Sequence, residues 1–389
     1  MGVPLVYNLR NLIERKATTL MTAAGIALTV SILVTAMALI SGLRAVFAST
    51  GNPLQAVVLR SGGTAELSSL VEEPSFQLIR LKPGVAHSPA GEPLASAELV
   101  TVINLPSVDN PQGMNVTVRG LMPVGVSMRT VSISEGRWFH QGIREVAVGQ
   151  SIAQRYPSAK LGSYLQFGRG QWKVVGVFSG GDSAVNSEIW CDLNQLAPDT
   201  EPPRQGEWSS VLVRAESPKQ LLAVIDDIKN DKRLNATALS ETDYYKAMNI
   251  SGAPLEFLGM AVAIIMAVGS GFGAMNTMYA AVARRGREIG TLRSLGFSRA
   301  SILGSFMFES VALSLLGGIL GCLLALPLNG LTTAVGDFAT FSEVAFQFRV
   351  GIGAILIGLA FAAIIGALGG FLPALAASRR DLLQSLREG

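Results

Sequence analysis

Only two histidines and two cysteines occur in the 389 residues, and just 15% of the residues are charged. Each scarcity closes off a class of function. A metal centre needs three or four converging ligands, and His87 and His140 stand alone in separate loops. A disulfide framework needs clustered cysteines. Cys191 lies in a soluble stretch and Cys322 in an apolar run, which reads as two small buried side chains. No Gly-x-x-x-x-Gly-Lys-Ser/Thr occurs, so no triphosphate is cradled by that route. Gly-x-Ser-x-Gly, His-Glu-x-x-His and a Ser/His/Asp arrangement are missing as well. Nothing points to nucleic acid, because no basic stripe is interleaved with aromatics. The chain is therefore expected not to be an enzyme and to hold no cofactor or metal of its own.

What is abundant is apolar sequence: 49% of the residues are hydrophobic, and the mean hydropathy is +0.41. Soluble domains carry about 25% charged residues, so part of this chain is expected to meet lipid. Four runs are long and apolar enough to span a bilayer: 19–43, 254–283, 302–328 and 350–372. The first could be taken for a signal peptide, but it is longer than the usual apolar core and lacks a clean cleavage site. Pro327 is placed to kink the third. Arginines lie before the first run, between the second and third, and in the tail 373–389. The positive-inside rule then puts both ends in the cytoplasm, including 1–18, with 51–252 and the outer loop 332–349 on the other side. In that outer loop, Asp337 and Glu343 face a single base, Arg349.

The insert 51–252 alternates Val, Ile and Thr with polar residues, the pattern of half-buried strands. Strands are expected at 55–60, 98–104, 115–121, 144–148, 171–178, 209–214 and 234–239. Helices are expected at 65–81, 151–156, 217–229 and 241–250, the third with Leu221, Leu222, Ile225 and Ile228 on one face. The order of elements predicts a split α+β unit, 51–121 with 207–252, holding a mostly β unit at 122–206. The fold class is thus a four-span α-helical membrane protein with a large α+β domain between the first two spans.

The connection 284–300 is more than a loop. Ile289, Leu292, Leu295 and Phe297 recur near helical spacing, with Arg287, Arg293 and Arg299 on other faces. That predicts a short amphipathic helix on the membrane surface. Glu288 reads as a solvated balance to Arg284 and Arg287, or as a partner contact. Glu309 lies about two turns into the third span. It reads first as snorkelling or pairing with Arg293 or Arg299, and second as a hinge or dimer contact. The glycines of Gly269-Ser-Gly271-Phe-Gly273 follow no strand, so a dinucleotide loop is set aside. They, Gly317-Gly318 with Gly321, and Gly366 with Gly369-Gly370 let helices pack closely, within one chain or at a dimer seam.

Several motifs carry a resemblance. They are Asn276-Thr-Met278, then Arg284-Arg-Gly-Arg287-Glu288-Ile289-Gly290-Thr-Leu-Arg293-Ser-Leu295-Gly296-Phe-Ser298-Arg299, then Phe308-Glu309-Ser310 with Leu315-Leu-Gly317-Gly318. Together they resemble the signature of the MacB/LolC–LolE/FtsX superfamily, the membrane subunits of type VII ABC transporters. Asn8-Leu-Arg-Asn-Leu, Gly136-Arg-Trp-Phe139 and Trp172-Lys-Val-Val-Gly-Val177 are similar to further parts of that family. So is the segment from Pro373 to Arg387, although the family's common proline near Asp381 is absent. The likeness covers nearly the whole chain and is looser in the insert. It implies porter-like (51–121, 207–252) and Sabre-like (122–206) subdomains outside the inner membrane. It implies a homo- or heterodimer of permease subunits, a separate ABC ATPase that binds ATP and magnesium, and in some members a periplasmic adaptor. It implies mechanotransmission, with 284–300 as the coupling helix and Arg284, Arg287, Glu288, Ile289, Gly290, Arg293, Leu295 and Gly296 as its contact region. Glu309, Gly317 and Gly318 would serve as hinge or packing residues. Since the chain starts directly at a span, a stand-alone permease is expected. The alternatives are an FtsX-like regulator of a cell-wall hydrolase, against which the size of the insert argues, and LolC–LolE-like lipoprotein release.

Overall fold

The computed structural model describes residues 16–107, 110–248, 253–336 and 342–379. The expected N-terminal segment before residue 16, Asp337, Ile250 and the tail beyond Arg379 lie outside the described residues. In chain order the first elements are α1 (Lys16–Ser49), β1 (Gln55–Arg60), β2 (Val71–Glu72), α2 (Glu73–Arg80), β3 (Ala95–Leu105), β4 (Met114–Leu121) and α3 (Pro123–Met128). Then come β5 (Ser132–Gly136), β6 (Glu145–Gly149), α4 (Gln150–Arg155), β7 (Tyr164–Phe167), β8 (Gly170–Ser179), β9 (Glu188–Asp192), α5 (Leu193–Leu196), β10 (Glu207–Trp208), β11 (Ser210–Arg214), α6 (Pro218–Asn230), β12 (Ala236–Ser240) and α7 (Glu241–Met248). The last are α8 (Ala253–Arg284), α9 (Gly286–Ser294), α10 (Arg299–Ala325), β13 (Thr332–Gly336), β14 (Glu343–Gln347) and α11 (Ile352–Arg379).

Two compact units result. Among the described residues, the helical unit holds those of 16–42, 253–331 and 347–379, and the α/β unit those of 43–248 and 332–346. Among the described residues, four helices are long and apolar enough to cross a membrane: Thr19–Ser49, Phe257–Arg284, Arg299–Leu328 and Ile352–Arg379. Within the helical unit, glycine is used where backbones approach. A Cβ on Gly317 would sit 2.8 Å from the Ala23 carbonyl, one on Gly321 2.5 Å from the Ala27 carbonyl, and one on Gly318 2.7 Å from Ala362 Cβ. Small residues permit this closeness in a medium where apolar burial gives helices no reason to associate. The fourth helix does not stop at Pro373 but runs on to Arg379. Pro327 causes no kink inside the third; it sits in a 3₁₀ turn, Leu326–Leu328, after α10 has ended.

The α/β unit is built on one sheet, ordered β12-β1-β11-β3-β4-β9-β6-β8-β5, with β7 beside β8. Within it β4 pairs in parallel with β9, Thr117 opposite Glu188 and Leu121 opposite Asp192. The six strands expected from alternation between residues 55 and 214 form, as does β12. The expected helix 65–81 does not. It is a 3₁₀ turn (Glu66–Ser68), then β2, and only then α2, because β2 extends to pair with β10. In α6, Ser217 caps the start, its Oγ accepting from Gln220 N at 3.3 Å. Its buried face is Leu221, Val224, Ile225 and Ile228, whereas Leu222, one residue round the helix, is exposed. Cys191 and Cys322 are both buried and free. The outer loop is not a bare connection, since β13 and β14 pair as a hairpin.

Candidate functional site

The short helix α9 begins and ends sharply. Gly296 has φ +90°, its N–H donates to Arg293 O at 3.1 Å, and Phe297 N–H donates to Leu292 O at 3.1 Å. Those two bonds make a Schellman close, which needs a left-handed residue where glycine stands. Two residues later Ser298 caps α10, its Oγ accepting from Ser301 N at 3.2 Å. One face of α9 is fixed to the helices around it. Ile289 joins a buried cluster with Met278, Val282, Ile302, Phe306, Ala374 and Ala377, drawn from α8, α10 and α11. Arg293 Nη1 donates to Ser378 O at 3.4 Å.

Glu309 pairs with neither Arg293 nor Arg299. Its Oε2 accepts from Arg285 Nη1 at 2.6 Å, and both side chains are buried. The reason is reach: Arg285 stands at the start of α9, and its guanidinium lies over the Phe306 ring, 5.9 Å from its centroid and one turn from Glu309. Arg285 is inconspicuous in the sequence because it sits in a run of arginines that all look solvated. The available signal was an acid in a span, which requires a base nearby. Arg285 Nη2 is buried and has no hydrogen-bond partner among the described residues.

The expected contact residues therefore divide. Ile289 and Gly290 are buried, and Arg293 is half-buried against α11. Arg284, Arg287, Glu288, Leu295 and Gly296 are exposed. Leu295 does not continue the apolar stripe of Ile289 and Leu292. It follows the end of the helix and is 70% exposed. Gly317 and Gly318 lie deeper in α10, packed on α1 and α11. The exposed face offers both charges and one large apolar side chain on a helix that cannot shift without moving its neighbours.

The α/β unit contains a second cluster that the sequence did not reveal. Arg119 on β4 donates to Glu66 (2.7 and 2.9 Å), Glu98 (2.8 Å) and Glu188 (2.9 and 2.9 Å). Arg129 closes on Glu98 with two bonds of 2.6 and 2.7 Å. Burial opposes the Arg119 charge, but Glu188, Glu66 and Glu98 outweigh it and hold its pKa well above the usual range. Burial likewise pushes Glu66 up, and Arg119 more than offsets it, leaving the carboxyl below its ordinary value.

A family model described as the FtsX-like permease C-terminal matches residues 260–382. One described as the MacB-like periplasmic core domain matches residues 19–231, more than half of the chain. The chain belongs to the MacB/FtsX family of ABC transporter permeases. Among relatives of this family, an ABC transporter permease, YknZ, of Bacillus subtilis is 26% identical over 297 residues, 70% of each chain. The macrolide export ATP-binding/permease protein MacB of Pasteurella multocida is 26% identical over 291 residues, 70% of this chain but 44% of that protein. The pyoverdine export ATP-binding/permease protein PvdT of Pseudomonas putida is 30% identical over 256 residues, 61% of this chain and 37% of that one. The chain thus spans less than half the length of these two ATP-binding permeases. Among solved structures, the extracellular domain of YknZ aligns with 48% of this chain and 99% of its own, at 16% identity and a TM-score of 0.36.

Proposed function

We propose that this permease receives force at α9 from a separate ABC ATPase and passes it through its spans to the α/β unit, which works on a cargo for export or extraction. The observation that carries the reading is the Arg285–Glu309 pair. It fastens α9 to α10 by a buried contact at 2.6 Å while Arg287, Glu288 and Leu295 stay exposed. A helix fastened on one face and exposed on the other suits a load-bearing docking surface. The arginines of this connection favour the cytoplasm, where ATP is available to a partner that binds it with magnesium. The α/β unit then lies on the opposite side of the inner membrane, within reach of an adaptor.

A second permease copy belongs to this reading. The apolar window of Phe257–Arg284 is 11% buried, against 39, 39 and 33% for the other three. A Cβ on Gly269, Gly271 or Gly273 would meet nothing within 4 Å among the described residues. A cysteine at Gly271 is expected to cross-link two full-length chains in native membranes, and its failure to do so would remove the dimer. For the coupling itself, the full chain in lipid nanodiscs is mixed with candidate ABC ATPases from the same organism. Binding and faster ATP turnover are expected, and Glu288→Lys or Leu295→Lys should abolish the stimulation with the helices intact. Absence of binding, or unchanged stimulation in both variants, would sink the assignment.

A further inference from the structure

The hairpin β13–β14 leaves the chain between two spans, yet its residues 332–346 belong to the α/β unit. Glu343 through Phe346 are all buried. Glu343 Oε1 accepts from Arg155 Nη1 at 2.7 Å and also from the Tyr156 hydroxyl, both at the end of α4. Beside it, Thr117 Oγ1 of β4 donates to Ser342 Oγ at 2.7 Å, and Ala345 N donates to Ser187 Oγ at 2.8 Å. The base of the hairpin is closed in turn: Phe348 N donates to Leu331 O, and Gly330 N to Phe348 O, each at 3.0 Å.

A buried carboxylate is a costly way to hold a strand. Glu343 Oε2 is buried and has no hydrogen-bond partner among the described residues. Apolar residues of similar volume often match or exceed the stability of a buried ion pair. What the charge adds is register. One carboxylate fits one guanidinium at one position, and a slip of one residue would turn Glu343 away from Arg155. Such a contact keeps a strand from sliding when its ends are pulled.

We propose that Glu343 is a positioning residue that makes the β13–β14 hairpin a third mechanical attachment of the α/β unit. Movement of α10 against α11 reaches α4 and β4 through this hairpin, independently of α1 and α7. This goes beyond force entry at α9 and does not depend on it, because both ends of the link lie within one chain.

The test is a coupling cycle in the full chain in lipid nanodiscs, with no partner added, read by hydrogen–deuterium exchange. Gly318→Leu drives a wedge between α10 and α11, where a Cβ already falls 2.7 Å from Ala362 Cβ. It is expected to speed exchange at 150–156 by about threefold or more. Glu343→Ala is expected to erase that response, and Glu343→Gln, which keeps an acceptor for Arg155, to retain it. In the Glu343→Ala background an oxidised Thr117→Cys/Ser342→Cys pair should restore the response, which a merely stabilising role would not predict. If Gly318→Leu fails to insert, Gly318→Ala supplies a smaller wedge read the same way. A response undiminished by Glu343→Ala, or absent from the otherwise unaltered chain, would overturn the proposal.

Discussion

In the α/β unit, Arg119 gathers Glu66, Glu98 and Glu188 at β4, a strand buried from Val116 to Leu121. In the helical unit the close contacts are made by glycine, at Gly317, Gly321, Gly358, Gly366 and Gly370, each with a neighbouring atom within 3 Å of where a Cβ would stand. There a single buried ion pair, Arg285–Glu309, is found among the described residues. The contrast follows from the surroundings. A domain bathed in water gains from burying apolar area, and that gain can carry charges inside if they are matched. Helices in lipid gain little from burial, so they rely on contact distance and on few, well-placed polar groups. One unit is held by matched charge and core volume, the other by the absence of side chains.

Four substitutions would break or sharpen that contrast. The largest effect is expected from Arg119→Met, which leaves three carboxylates without their cation. Removing one partner of a buried ionic group costs about 3–5 kcal/mol, measurable as lost stability in chemical denaturation, and adding Glu66→Gln with Glu188→Gln should recover much of it. Next comes Gly366→Leu in the helical unit. Its Cβ would stand 2.4 Å from Ser314 Oγ and 2.9 Å from Ser310 O, and overpacking of that kind costs about 1–3 kcal/mol. Gly273→Leu, with open space around it, should leave the unfolding of a single chain in mixed micelles unchanged. The fourth, Gly296→Ala, forces a side chain into the φ of +90° that closes α9. It should cost about 1 kcal/mol and lower ATPase stimulation more than it lowers thermal stability.

A smaller effect concerns pH. Hydrogen bonds from Arg137 hold Glu145 at about 2 despite its burial, with further help from His140. Its folded-state value lies below the ordinary 4.5, so its contribution is complete above that ordinary value and is lost as pH falls through about 2. The melting temperature of the full chain should drop across that window, and Glu145→Gln should flatten that part of the curve.

The spans were legible because length and apolarity alone define them, and the strands because Val, Ile and Thr alternate over β1, β3, β4, β6, β8 and β11. The basic connection was legible as a helix because Ile289 and Leu292 repeat at helical spacing. What the chain hid was pairing across distance. Arg285 differs from Arg284 only by one residue, a turn of about 100° around a helix, and nothing local tells which of them meets Glu309. Arg119 looks like any charge in a strand until Glu66 and Glu188 arrive from 53 and 69 residues away. The hairpin was hidden for the same reason. Glu343 read as a loop acid because its partners, Arg155 and Tyr156, lie 188 and 187 positions earlier.

At the foot of the insert, Gly51 backs onto Glu241, where a Cβ would stand 3.1 Å from the backbone carbon, and Asn52 N donates to Glu241 Oε2 at 2.7 Å. Strands β1 and β12 lie side by side just beyond, Ala56 opposite Ser240. A segment whose two ends meet can be grafted between helices of an unrelated host without stretching either chain. Here the graft is a cassette of two pieces. A transplant limited to residues 51–248 would strip Arg155 of its carboxylate and leave behind the buried strand residues Val344 to Phe346, so a transplant of the whole unit must carry the strand of a distant loop along with it.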